Sequence, residues 1–135
     1  MTETVFVDTS FFKALIDKKD DFHEDALTIL QNLKSQSCKL VTTNYVLDET
    51  ITLILVRCGV RRVKDLQEKL VDLKILKVLR ITHKDEKNSW DWFWNDWSRL
   101  SFTDCTSFAL LKRIGLTHVA AFDTHFSRAG FTAVK

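Results

Sequence analysis

The chain alternates short apolar runs with segments of helical periodicity. Thr4–Val7 has the length and character of a buried strand and stops at Asp8. A short helix is expected from Phe11 to about Asp17, followed by the polar turn Lys18–Asp21. From His23 to about Ser35, Ala26, Leu30 and Leu33 fall at helical spacing. Cys38–Val41 reads as a second strand, after which Thr42, Thr43 and Asn44 are candidate N-caps for a long helix reaching Arg57 or Cys58. Gly59 punctuates the pattern, Arg61 to about Leu73 is helical, and Ile75–Ile81 is a strand. A helix from Glu86 to about Arg99 follows, with Trp90, Phe93, Trp94 and Trp97 on one stripe. Ser101-Phe-Thr-Asp104 has capping-box character, with aspartate in place of the usual Glu or Gln, and opens a helix to Ile114 that ends near Gly115. His118–Phe122 is another buried strand, followed by Asp123, and Phe131–Val134 is a short last one. Strands alternating with helices imply right-handed crossovers and a mostly parallel sheet covered on both faces. The expected fold is an α/β/α three-layer sandwich.

Composition narrows this little. The 135 residues fit one domain, 1–135, with one core, and 45% hydrophobic content is that of an ordinary globular chain. No apolar run is long enough to cross a bilayer. Met1-Thr-Glu-Thr4 lacks the basic segment and apolar stretch of a secretory leader. Cys38, Cys58 and Cys105 are widely spaced with no CxxC pair, so they read as reduced, mostly buried residues of a cytoplasmic protein. Proline is absent and glycine occurs only at 59, 115 and 130, which leaves no linker and no glycine-rich phosphate loop. The net charge of +2 selects no function.

The acids are more informative. Ligands of parallel α/β sheets bind at the carboxyl ends of the strands, where Asp8 and Asp123 stand. Taken singly, each is equally a turn residue or a helix cap. Glu49 shares a helix face with Val46 and Leu53, and a carboxylate on an inward face needs a partner or a metal. Its neighbour Asp48 is expected to face solvent. Asp104 lies in a first helical turn, where capping and the helix dipole are sufficient reasons for an acid. Ser101 or Thr103 is an alternative cap, however, and Phe108 and Leu111 put Asp104 on the inward side. Carboxylates brought together repel unless a cation neutralises them, and an oxygen-only set suits Mg²⁺ or Mn²⁺. Such ions orient and activate water for phosphodiester hydrolysis.

Four motifs, Val7-Asp8-Thr9-Ser10, Asn44-Tyr-Val-Leu-Asp-Glu49-Thr50, Ser101-Phe-Thr-Asp104-Cys-Thr-Ser-Phe-Ala109 and Ala121-Phe-Asp123-Thr-His-Phe126, occur in the order found in PIN domains. The chain resembles the VapC-type toxins of prokaryotic toxin–antitoxin pairs, from residue 5 to about 131. The resemblance implies an Mg²⁺- or Mn²⁺-dependent endoribonuclease that forms homodimers and is inhibited by a cognate antitoxin. It assigns Asp8, Glu49, Asp104 and Asp123 to the acidic quartet, and Ser10 and Thr103 to supporting hydroxyl positions. The tryptophan-rich helix and the lack of proline depart from a typical member.

Around this centre, Thr9, Asn44, Trp92, His125 and Arg128 are candidate substrate contacts. Trp92 lies off the aromatic stripe, which itself reads as core or an oligomer interface. Phe126 is assigned to the core, and a turn role is the alternative for His125. Lys18, Lys19, Arg61, Arg62, Lys64, Lys112 and Arg113 are phosphate contacts or simply solvated helix faces. Alternative functions are a PIN-fold nuclease of RNA processing or one acting on structured DNA, and a non-catalytic PIN-fold binding module. A receiver domain would need an acidic pair after one strand and a lysine after the last. A haloacid-dehalogenase-type phosphatase would need Asp-x-Asp where the chain has Asp8-Thr-Ser10.

Overall fold

In a computed structural model describing residues 3–135, five parallel strands form one sheet in the order β3-β2-β1-β4-β5. The reading of Met1 and Thr2 lies outside the described residues. The strands are β1 (Thr4–Val7), β2 (Lys39–Thr43), β3 (Leu76–Leu79), β4 (His118–Ala120) and β5 (Thr132–Ala133). The helices are α1 (Thr9–Ile16), α2 (His23–Ser35), α3 (Asn44–Cys58), α4 (Val60–Asp72), α5 (His83–Phe93), α6 (Phe102–Ile114) and α7 (His125–Arg128). Every strand pair is parallel, as expected of α/β crossovers. The central strand β1 contributes Val5, Phe6 and Val7 to the core, whereas edge strand β3 is only partly buried. Edges this short, with Lys77 on one of them, resist pairing with other chains.

Local chemistry accounts for most boundaries. Thr43 caps α3 by accepting a 3.0 Å hydrogen bond from the Val46 amide. Gly115 ends α6 in the left-handed region, at φ 71°, where lack of a Cβ removes the steric cost. α6 is buried from Asp104 through Leu111, and its Phe108 packs on Phe126 and Phe131 with ring centroids 5.0 and 5.9 Å away. Phe126 is a core residue, as expected. Cys38 and Cys105 are buried, Cys58 is half-buried, and all three are free thiols.

The largest departure from the sequence reading is α5. It starts at His83, on a capping box between Thr82 and Asp85, and stops at Phe93 instead of continuing to Arg99. The stripe it buries is Asp85 and Ser89, with Trp92 half-buried behind them, not the tryptophan row. Arg113 of α6 grips Asp85 with two hydrogen bonds, of 2.7 and 2.9 Å, and this ion pair sets the helix phase. Trp90 and Trp94 are consequently exposed and stack on each other, 5.5 Å between centroids. Residues 94–100 form turns, with Asp96 and Arg99 in the left-handed region at φ 55° and 63°.

Replacing Arg113 by methionine strands the fully buried Asp85 carboxylate. Complete burial of both partners makes such a loss about 3–5 kcal/mol. The Arg113 side chain is 37% exposed, so solvent screening reduces the expected loss to about 2 kcal/mol. A urea titration measures it, and a change below about 0.5 kcal/mol would mean that the capping box alone supports Asp85. The ion pair holds the Asp85 carboxyl below its ordinary range against the opposing effect of burial. Its stabilisation is therefore complete at neutral pH and disappears only as acid titrates the depressed group.

Candidate active site

β1 hands the chain to α1 at Asp8, an extended residue whose amide still bonds the Ala120 carbonyl of β4 at 3.1 Å. Its carboxylate caps α1: Oδ2 accepts from the Ser10 amide at 3.2 Å and from the Ser10 hydroxyl at 2.9 Å. The same hydroxyl oxygen accepts a 3.0 Å hydrogen bond from the Phe122 amide. Ser10 thus ties the end of β1 to the residues that lead from β4 into Asp123. The other Asp8 oxygen, Oδ1, is buried with no hydrogen-bond partner among the described residues. A lone acceptor in that setting is costly unless a cation meets it.

Asp104 resolves the two readings open to it, because it does both jobs. Its Oδ2 accepts from the Ser101 amide at 3.1 Å while the Ser101 hydroxyl accepts from the Asp104 amide at 3.0 Å, which completes the capping box. The residue also lines a cavity of about 570 Å³, together with Asp8, Glu49 and Asp123. Glu49 reaches it from α3, half-buried, and Asp48 faces solvent as expected. Asp123 begins the turn into α7, where its Oδ1 accepts from the His125 amide at 2.7 Å.

Burial and neighbouring charge raise the pKa values of the deepest pair. Burial, followed by the charge of Asp104, pushes Asp8 up to about 7 against the hydrogen bonds of Ser10 and Thr9. Burial likewise pushes Asp104 up to about 6, the Ser101 amide opposing it and the charges of Asp123 and Glu49 reinforcing it. An unpaired buried oxygen, carboxylates held partly protonated and an all-oxygen quartet fit a hard divalent cation.

The supporting candidates divide. Ser10 and Thr9 line the cavity, but the Thr9 hydroxyl faces Val46 and Thr50 of α3. Thr103 does not line it, because the hydroxyl that caps α6 and borders the cavity is that of Ser101. Asn44 is a strut: its side-chain oxygen accepts from the Ile81 amide at 2.9 Å. Trp92 packs against Phe108, 5.1 Å between centroids, and does not border the cavity. Arg128 lies over the Trp97 ring, 4.5 Å from its centroid. His125 stands beside the acids, its Nδ1 2.9 Å from Asp123 and 3.3 Å from Asp104.

Sequence reasoning missed Arg99 and Phe22, and grouped Lys19 with basic residues that are phosphate contacts or simply solvated faces. All three line the cavity. Arg99 was hidden inside an expected helix. Phe22 carried a usable signal, an aromatic in a polar turn, and it stacks on Phe122 at 4.5 Å with the rings nearly parallel.

The PIN domain family model matches residues 5–132. The 23S rRNA-specific endonuclease VapC20 of Mycobacterium tuberculosis is 36% identical to the chain, over 97% of this chain and 98% of the relative. The crystal structure of VapC20, described as a sarcin–ricin loop cleaving toxin, superposes with a TM-score of 0.84 at 35% identity, over 96% of this chain and 98% of that one. FitAcB from Neisseria gonorrhoeae shares the fold at a TM-score of 0.67 and 15% identity, over 97% and 96% of the two chains. VapBC2 from Rickettsia felis, bound to promoter DNA, does so at 0.66 and 11%, over 97% of each.

A raised carboxyl pKa means that the folded chain keeps protons that the unfolded chain releases, so stability without metal falls as pH rises from about 4 towards 7. In EDTA, the melting temperature is expected to be higher at pH 5 than at pH 7.5. Asp8→Asn removes the charge, flattens that slope and raises the melting temperature at pH 7.5. Calorimetry reads both effects. A lower melting temperature for Asp8→Asn at pH 7.5 would show that the Asp8 charge is already compensated without metal.

Proposed function

The chain belongs to the PIN domain family, and we propose that it is a divalent-metal-dependent endoribonuclease acting on ribosomal RNA, the toxin of a toxin–antitoxin pair. The observation carrying this reading is that Asp8, Glu49, Asp104 and Asp123 border one cavity while a buried Asp8 oxygen lacks a hydrogen-bond partner among the described residues. Asp8 and Asp104, the buried members, would hold the ion together with Glu49 and Asp123, which stand nearer solvent. A divalent ion bound there supplies an activated water and offsets charge developing on the scissile phosphodiester.

The chain's own groups account for the rest. Ser10 orients Asp8, and Ser101 orients Asp104, so the deep carboxylates are fixed before any ligand arrives. Arg99 and Lys19 present positive charge to the phosphates at the rim. The exposed ring of Phe22, backed by Phe122, offers a stacking surface to an unpaired base. The relative that cleaves 23S rRNA supports a structured ribosomal RNA as substrate, and hence a cytoplasmic site of action. Among the described residues, no helix is long and apolar enough to cross a membrane. A homodimer and a cognate antitoxin belong to the same reading. Exposed Leu55, Val56 and Val60, where α3 meets α4, suit such a protein interface.

Purified protein is expected to cut a hairpin RNA carrying the sarcin–ricin sequence in Mn²⁺ or Mg²⁺, with cleavage abolished by EDTA. Asp8→Asn and Asp104→Asn each lose at least about 100-fold in rate, the scale of removing one electrostatic stabiliser. Gel analysis of end-labelled RNA reads the outcome. Cleavage that survives either substitution would refute the metal-centre assignment, and metal binding without cleavage of any RNA would favour a non-catalytic module.

A further inference from the structure

His125 is placed as a metal ligand places itself. Its side chain is nine-tenths buried, with 10% exposed. Nε2 donates a 2.8 Å hydrogen bond to the Ser98 carbonyl, which leaves Nδ1 as the ring nitrogen turned toward the acids. A ligating histidine almost always commits its second nitrogen in this way. Nδ1 lies 2.9 Å from Asp123 Oδ1 and 3.3 Å from Asp104 Oδ2, yet neither contact has the direction of a hydrogen bond, so this buried nitrogen has no hydrogen-bond partner among the described residues. One ligand atom each from Asp104, Asp123 and His125 lie within 4.8 Å of one another. Ligands held about 2.1–2.3 Å from a common ion span about 4–4.6 Å at most, so the three approach the spacing of one coordination sphere.

The ring is also held from behind. Trp97 stacks along it, with centroids 6.4 Å apart and planes 23° from parallel, and Arg128 covers Trp97. The left-handed residues Asp96 and Arg99 bracket Trp97 and Ser98 and set the turn that presents both to the ring. Strained backbone of this kind persists only where the surroundings hold it.

We infer that His125 supplies a nitrogen ligand, through Nδ1, to the ion bound by Asp104 and Asp123, and so tilts the centre toward Mn²⁺ over Mg²⁺. This rests on the metal-centre reading above and sharpens it. Imidazole suits transition metals, while Mg²⁺ holds to oxygen and water, and affinity at a nitrogen-containing site rises along the transition series.

Electron spin echo spectroscopy of the Mn²⁺-loaded protein tests it without recourse to activity. The expected spectrum carries the coupling of a directly bound nitrogen, assigned to imidazole by ¹⁵N-histidine labelling. The coupling vanishes in His125→Ala and in His125→Gln. Calorimetric affinity for Mn²⁺ falls about 10–100-fold in both variants, a scale known for perturbing a metal site's support, while affinity for Mg²⁺ changes about 3-fold or less. His23 bonds the Ala14 carbonyl, and His83 and His118 are away from the cavity, so a coupling that survives in a folded variant comes from elsewhere and overturns the inference. Mn²⁺ bound without nitrogen coupling in the wild type overturns it too, leaving the carboxylate centre intact. No Mn²⁺ binding at all overturns both.

Discussion

Repulsion among carboxylates in one cavity is the constraint on which the rest of this structure depends. Asp8 and Asp104 are almost wholly buried, and burial together with neighbouring charge pushes both up from the ordinary carboxylate range. Left to itself, such a cluster would relax by exposing its members. It is prevented from doing so because each deep acid is also a helix cap: Asp8 closes the start of α1 and Asp104 the start of α6. Moving either would leave backbone amides unsatisfied at a helix end, where a cap contributes about 1 kcal/mol. The helix dipoles add a positive end at each of these caps. The architecture therefore opposes repulsion with local bonds that the fold needs in any case.

This double use explains what could be read from the sequence. Asp8 and Asp123 were legible because an aspartate directly after a buried run is visible in one dimension. Glu49 was legible from helix phase, since Val46 and Leu53 mark the inward face. Strands, caps and the glycine stop of α6 were legible because they are local. That Asp104 both caps α6 and borders the cavity was not, because a capping pattern and a ligand pattern coincide at that position. Of the two hydroxyls offered as caps there, Ser101 is the one that caps and lines the cavity.

The α5 error has a different origin. Four aromatic residues at helical spacing outweigh one aspartate and one serine on any hydrophobic scale, so the periodicity pointed inward along Trp90 and Trp94. The structure buries Asp85 instead, because Arg113, 28 positions later, makes burial of that charge affordable. No local pattern reveals such a partner. Once Asp85 sets the phase and α5 ends at Phe93, the chain must turn back to reach Ser101. The left-handed residues at 96 and 99 follow from that turn. So do the Ser98 carbonyl against His125 and Arg99 at the cavity rim. A long-range ion pair, invisible to periodicity, thus shapes one wall of the active centre.

The charge distribution bears on how a polyanion approaches such a centre. The overall charge is only +2, but the acids are concentrated in the cavity while Lys19 and Arg99 stand among its lining residues. Lys13, also on the lining, is neutralised by Asp17 and Asp20 at 3.1 and 2.8 Å. Without a cation, an RNA phosphate entering the cavity meets more negative charge than positive. A divalent ion in place would offset part of that negative charge and present a positive site of its own to a phosphate, and the basic residues at the rim act in concert with it. Substrate affinity and metal occupancy are then coupled through electrostatics alone. Because binding linkage is reciprocal, RNA in the cavity must raise metal affinity by the same factor.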